Sequence, residues 1–568
     1  MSVDSSVGWA TCSEDECQGI RLPTGSKCLA HADSQDLDAE LKRLSQEGTI
    51  DARGVTISAK LLDRILGAAP PDEDRPDRPR LVKVNFDSAG FGNGASFVLA
   101  TFGDRAWFTR ATFGNDAVFE AATFGNHTAF NTASFGDRAS FAGPFGDRAS
   151  FIGATFGDRP TFDPVRFSGY VFFDDTRIGD WARLGPVVAR ELSLRRATFG
   201  RSPDLLISAV RLWCQQANFP DGARLQIRWA EVALDNADFG RPSVLEPAPA
   251  VEKLTANGEK ELIEEALTAT EAHRTAQPRP ICLAGCDVHN LLLVDCDLRA
   301  CRFAGAHNLA ELRLEGNITL PFTPQGWQAT WRAMPPLWRW GRRQTIAEEH
   351  YWRQRQVRPQ GWRGAPEPSP SPYVADWHDS GERGDPSNPY GPPEVAGVYR
   401  ALRKGREDNK DEPGAADFYY GEMEMRRHDR AKPKAERLVL FLYWLTSGYA
   451  LRASRALAWL LGILVLATVL LAAVGLKQPA TVSAVQATIT GSPPHQTIRF
   501  QAPTAASATP SFSARLGTAA LVAVEGAVFR ASEQQLTYVG RLIQAVLRFA
   551  GPILLGLAVF SIRGRVKR

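Results

Sequence analysis

Four side chains able to bind a metal lie within about twenty residues of one another near the start of the chain: Cys12, Cys17, Cys28 and His31, in the order C-x4-C-x10-C-x2-H. Soft and borderline ligands in that number suit tetrahedral zinc. Gly19, Pro23 and Gly25 between them supply the turns that let two half-sites fold toward one ion. Four protein ligands leave no open coordination position, so the expected zinc is structural rather than catalytic. The alternative is four unrelated residues in a flexible leader.

Other candidates for chemistry are weaker. Cys282, Cys286, Cys296 and Cys301 suggest a redox or second metal site, but three of them fall at small, inward positions of a repeat, where free Cys packs as a small hydrophobe. His350 follows Glu348 and Glu349 without forming H-E-x-x-H, and a solvated helix face is expected there. The sequence contains no G-x-G-x-x-G, no Walker A string, no G-x-S-x-G and no C-x-x-C. Nicotinamide, flavin, nucleotide and thioredoxin-type chemistry therefore lack their usual supports, and no enzyme is expected.

The elements that must position these residues follow from length and pattern. At 568 residues the chain is too long for one core. Apolar residues at 44% and charged residues at 23% exclude both a disordered chain and a fully membrane-embedded bundle. A net charge of +3 predicts neither a nucleic-acid coat nor an acidic tail. No charged and apolar leader opens the sequence, so the bulk is expected in a reducing cytoplasm.

Between Phe86 and Phe167, phenylalanine recurs in alternating steps of five and six, with one step of four, in strings such as ATFGDRAWF and ATFGNDAVF. No α-helix has that period. Ala stands two positions before most of the rings, as at Ala95/Phe97 and Ala100/Phe102, and residues i and i−2 of an extended segment face the same way. Both must point inward. The predicted ladder comprises Phe97, Phe102, Phe108, Phe113, Phe119, Phe124, Phe130, Phe135 and Phe141, with Leu298 and Phe303 in a later stretch of strict fives. Coils of about 22 residues with bulged corners follow from repeat logic. Corner residues such as Asp104 are expected to contribute little.

The tandem A-x-F-x-x pattern resembles the pentapeptide-repeat family. That resemblance implies a right-handed quadrilateral β-helix, mainly β, with the large residue and the preceding small one inside. The Cys/His head is similar to a zinc knuckle ahead of assorted bacterial modules. The segment 398–427 with LYWLTSGYALRASRALAWL after it resembles the juxtamembrane part of actinobacterial pentapeptide-repeat membrane proteins. Some of those continue into a two-helix potassium-channel-like pore. Here no T-V-G-Y-G lies between the apolar segments, and Thr537-Tyr538-Val539-Gly540 is a weak echo of it. Relatives of this kind also carry a membrane-associated oxidoreductase label, which no residue here supports. One pentapeptide solenoid type mimics DNA through acidic rows. Eight acids and six Arg between Phe86 and Phe167 give no such row.

The expected organisation is a head (1–69), a Pro-rich charged linker that uncouples it (70–80), and the β-helix (81–320) with one inserted helix at about 250–273. A Trp/Arg-rich helical cap (321–357), a Pro/Gly-rich linker (358–393) and a juxtamembrane helical segment (394–455) follow. A transmembrane α-hairpin closes the chain, with spans at 456–476 and 539–562 around an extracytoplasmic loop (477–538). Eight basic residues against two acids in 426–455, and four in RGRVKR, place both termini and the bulk in the cytoplasm by the positive-inside rule. The expected function is a membrane-anchored scaffold for an unidentified protein partner. Nucleic acid is not an expected partner, and oligomers through the spans are allowed.

Overall fold

The computed structural model describes residues 8–254, 260–262, 275–324, 327–329, 337–339, 341–354, 362, 390–477, 486–490, 493, 497–501, 512–530 and 534–566. Most of the 358–393 linker, and Trp331, Arg332 and Trp340 of the cap, lie outside them. The chain divides into two compact units, Met1–Phe418 and Tyr419–Arg568.

The first unit is a parallel β-solenoid of about ten turns. One face is a nine-stranded parallel sheet that starts at Thr56–Ile57, passes through Gly90–Phe91 and Thr112–Phe113, and ends at Asp238–Phe239. A sixteen-stranded sheet forms the other faces. Pairing advances by 22 residues where Phe91 meets Phe113, by 21 where Phe135 meets Phe156, and by 20 where Phe219 meets Phe239. Rings stack in columns along the axis: Phe91 on Phe113 at 4.8 Å, Phe113 on Phe135 at 4.7 Å, Phe135 on Phe156 at 4.7 Å, with planes within 4° of parallel. Those spacings equal the separation of hydrogen-bonded strands. Columns through Phe86, Phe97 and Phe102 complete four sides, and neighbouring columns meet edge to face, as Phe102 meets Phe108 at 5.4 Å. The rings and their Ala partners are buried. Burial of each ring contributes about 2–3 kcal/mol, before any ring–ring term.

The alternation of five and six has a structural cause. Corners carry a residue in the left-handed region, such as Leu99, Arg105, Arg110 and Asp116 at φ 54–62°. On the longer sides the additional residue is the Gly of Phe-Gly-Asx. A Cβ on Gly125 would lie 2.6 Å from both the amide nitrogen and Oδ1 of Asp104 in the coil before it. The space is taken by a ladder of side chains: Asp104 Oδ1 accepts from Asn126 N at 2.7 Å, and Asn126 Oδ1 accepts from Asp147 N at 2.8 Å. A second ladder runs from Asn93 through Asn115, Asp137 and Asp158 to Asp180. Asp104 is thus an inter-coil hydrogen-bonding group, contrary to the expectation of a silent corner.

Four further expectations differ from the structure. The head is not separate: Ile50 pairs with Val84 and Ile57 with Phe91, so residues 49–57 begin the stack. The 70–80 segment is folded, with Arg78 donating to the Ala121 carbonyl at 2.8 Å. In 250–273, where helix propensity predicts one helix, Glu252–Leu254 and Lys260–Leu262 form an antiparallel pair, and 255–259 and 263–273 lie outside the described residues. The 321–357 cap combines an antiparallel pair, Trp327–Ala329 with Leu337–Arg339, and one helix, Ala347–Gln354.

In the second unit, helices Ala453–Leu470 and Tyr538–Val566 are long and apolar enough to cross a membrane, the first extended by a π-turn at Leu471–Gly475. They pack with a helix the sequence did not predict, Phe512–Ala527, around Leu471, Val522, Ala523 and Leu547.

Phe113→Asp is expected to abolish protease resistance of the solenoid, because an unpaired buried charge costs several kcal/mol. Asp104→Ala should cost about 1 kcal/mol through the lost bond to Asn126. Thermal unfolding of both variants checks the pair; indistinguishable losses would refute the inward register, and an unchanged Asp104→Ala the side-chain ladder.

Candidate metal centre

The structure brings Cys12, Cys17, Cys28 and His31 together, with their ligand atoms all within 4.8 Å of one another. Two short antiparallel bridges, Thr11 with Ile20 and Arg21 with Cys28, fold the knuckle back on itself. Cys12 N donates to Gly19 O at 2.8 Å, and His31 N donates to Cys28 O at 3.0 Å. Asp33 then caps helix Ser34–Glu47 by accepting from Gln35 N and Asp36 N, which fixes the chain just beyond His31. Cys12 Sγ lies 3.6 Å and Cys28 Sγ 3.5 Å from His31 Nδ1; Cys17 Sγ lies 3.7 Å from Cys28 Sγ. The last distance is far beyond a disulfide bond, and all eight Cys are free. Burial opposes ionisation of Cys12, but backbone N–H groups at Glu14 and Cys28, with His31, bring its thiol down to about 7. Burial pushes Cys28 up to about 12. One thiol is therefore prepared for a cation and another needs the cation to ionise.

The cluster rests on the first coil. Ile20 N donates to Arg53 O at 2.8 Å, and the Arg53 guanidinium lies 5.2 Å from the Trp9 ring centre. A metal there would tie down the exposed edge of the stack.

The remaining sequence candidates are core. Cys282, Cys286, Cys296 and Cys301 are buried, as are Leu298 and Phe303 of the late coils, and burial raises all four thiols. The surface Asp and Arg pair chiefly between coils, Arg110 with Asp87 and Arg138 with Asp116, rather than with sequence neighbours.

Glu348, Glu349 and His350 overturn the expectation of a solvated face, since all three are buried. Glu348 Oε1 accepts from Phe303 N at 2.5 Å and Ala304 N at 2.9 Å, satisfying backbone donors near the end of the stack. Both Glu349 oxygens accept from Arg343 Nη2 at 2.6 Å, and the carboxylate also accepts from Arg353 Nε at 2.7 Å and Tyr399 Oη at 2.5 Å. Burial disfavours its charge, yet Arg343 and Arg353 hold Glu349 down to about 2. The signal in sequence was faint: only the i, i+4 pair Glu349/Arg353 shows there. The arrangement is a buried ionic network.

The chain matches no protein-family model, no curated protein and no solved structure.

Because Glu349 is depressed from its ordinary 4.5 to about 2, its stabilisation is complete above pH 4.5 and is lost as pH falls toward 2. Glu349→Gln should cost about 3–5 kcal/mol at neutral pH by stranding Arg343. That deficit should narrow between about pH 4.5 and 2; urea unfolding at stepped pH measures it, and a constant deficit would refute the pairing.

Proposed function

We propose that this protein is a membrane-anchored scaffold: a rigid solenoid of the pentapeptide-repeat type, closed at its first coil by a structural zinc, held at a membrane by two spans, and presenting its faces to a protein partner. The observation that carries the reading is the pairing of a regular solenoid with two apolar helices whose large side chains, among them Leu461, Leu466, Phe549 and Phe560, stand exposed. Contiguous exposure of such residues is what a hydrocarbon surround requires. The register supports the family reading, since Ala and Phe alternate inward as in A-x-F-x-x. The buried Phe and Cys residues have no access to substrate, which supports binding rather than catalysis.

Zinc is the metal that three thiols and one imidazole suit, and two of the ligand separations are near those of a tetrahedral site. At about 2.3 Å to sulfur and about 2.0–2.1 Å to nitrogen, tetrahedral zinc separates sulfurs by about 3.8 Å and sulfur from nitrogen by about 3.5 Å. The Cys17–Cys28 and Cys28–His31 distances of 3.7 Å and 3.5 Å match. A second reading, a degenerate two-helix pore with a cytoplasmic sensing solenoid, is favoured by helix Phe512–Ala527, which packs with both spans. Conductance of the purified chain in planar bilayers separates the two.

The full chain purified in detergent should carry about one zinc, and Cys28→Ser should lose it and lower the first unfolding transition, because the cluster is built on the first coil. Metal analysis with cobalt substitution checks this; zinc at wild-type stoichiometry in the variant would refute the site.

Basic flanks put both termini and the solenoid in the cytoplasm and 477–538 outside. Ile498→Cys should then react with an impermeant thiol reagent on intact cells, above the parent chain, while Arg430→Cys should not. The opposite pattern would invert the topology, and a full chain that leaves the membrane on alkaline wash would end the anchor reading.

A further inference from the structure

The apolar helices of the second unit border an open polar cavity of about 960 Å³, with Lys477, Gln534, Gln535 and Arg541 exposed at its rim. Its polar lining is Lys477, Arg541, Arg548, Gln534, Gln535 and Gln544. Three cations and three carboxamides face one space, and no described lining residue is a carboxylate. Among the described residues, Lys477, Arg541 and Arg548 form no ion pair. Arg548 Nε and Gln544 Nε2 are enclosed and have no hydrogen-bond partner.

The cavity is built by the backbone rather than left over between loosely packed helices. The π-turn at Leu471–Gly475 releases carbonyls at the end of the first apolar helix, and Thr537 Oγ1 donates to Val474 O at 2.9 Å. Gly540 approaches so closely that a Cβ there would lie 2.3 Å from the Gly475 carbonyl oxygen. Leu476 and Leu536 form an antiparallel bridge, and Lys477 N donates to Gln535 O at 3.0 Å. These contacts fix Lys477 and the start of Tyr538–Val566 on one rim. Arg541 and Arg548 are seven residues apart, two turns along the same helix face, with Gln544 between them. Arg548 lies ten residues from Tyr538, about 15 Å along the axis.

We propose that this cavity binds a phosphate-bearing anion. An Arg at that depth is costly without a counter-charge, and two guanidinium groups with an ammonium and amide donors are the chemistry that recognises a tetrahedral oxyanion. The anion has two possible sources, inorganic phosphate entering from water or the headgroup of an anionic phospholipid. The cost of Arg548 at that depth and the lipid source both rest on the membrane reading given above; the cluster of donors does not.

The test uses the full chain in an uncharged detergent. Inorganic phosphate is titrated at fixed ionic strength against chloride, and thermal unfolding is followed. In parallel, the chain is placed in nanodiscs of phosphatidylcholine with or without phosphatidylglycerol, and retained lipid is measured by native mass spectrometry. Arg541 is exposed, so Arg541→Gln keeps the fold; Arg548→Gln and Arg548→Lys complete the series. Saturable stabilisation by phosphate, weakened at least tenfold in Arg541→Gln and Arg548→Gln and partly kept in Arg548→Lys, supports an inorganic ligand. Retention of phosphatidylglycerol with the same dependence on the variants, and no effect of phosphate, supports the headgroup. Neither ligand acting beyond chloride or phosphatidylcholine overturns the proposal, as does equal binding by wild type and Arg541→Gln. Topology is read independently by thiol labelling, so loss of the membrane reading and loss of the anion site give different results.

Discussion

The first unit depends on one constraint: parallel hydrogen bonding sets each coil about 4.8 Å above the last, and at every position a residue lies directly on its counterpart. Only side chains that tolerate their own kind at that distance can fill the columns. Phe does so by ring stacking, at 4.7 Å for Phe113 on Phe135. Asn and Asp do so because each carboxyl or amide oxygen accepts the amide of the next coil. Charges must alternate, since like charges placed opposite one another repel. The buried column Glu191, Arg211, Glu231, Arg279 reverses sign at every step of the register. The same rule explains the surface pairs, in which Arg138 reaches the Asp116 of the coil below.

A stack made this way has two ends, and each exposes backbone donors and acceptors that invite another strand. The groups that look most chemical in the sequence are at those ends. The Cys/His cluster holds the knuckle against the Ile50 and Ile57 strands, and Glu348 takes the Phe303 and Ala304 amides near the other. Glu348 is satisfied by protein groups, and the four ligand atoms of the cluster lie close enough together to hold one metal ion. Buried ionisable residues thus occur both at the ends, where they meet backbone donors, and in the sign-alternating column inside the stack.

The repeated part of the fold was legible because it is periodic. Phe at five and six, Ala two before it and Cys at the small inward positions all declare one register, and the four metal ligands lie close in sequence. The first coil was hidden because Ile50, Val55 and Ile57 carry no Phe, so nothing in composition joins them to the repeat. Glu348 to His350 read as a solvated face because their burial depends on Tyr399 and Arg343, partners that local sequence does not reveal. Phe512–Ala527 was missed because sixteen residues interrupted by Arg515 and Glu525 fall short of a span. In each case local propensity was a weaker determinant than tertiary contact.

On the membrane-anchored reading, the second unit meets a different requirement. Where lipid replaces water, backbone groups must be satisfied within the protein. The π-turn at Leu471–Gly475 breaks the regular pattern, and Thr537 answers it by donating to the freed Val474 carbonyl while Gly540 lets the two backbones close. Arg548 Nε and Gln544 Nε2 have no hydrogen-bond partner there, as is also true of Arg78 Nε and Arg406 Nε in the first unit. On the membrane-anchored reading a charge at that depth calls for a counter-charge or water, and the cations and carboxamides of the described lining suit the anion proposed above.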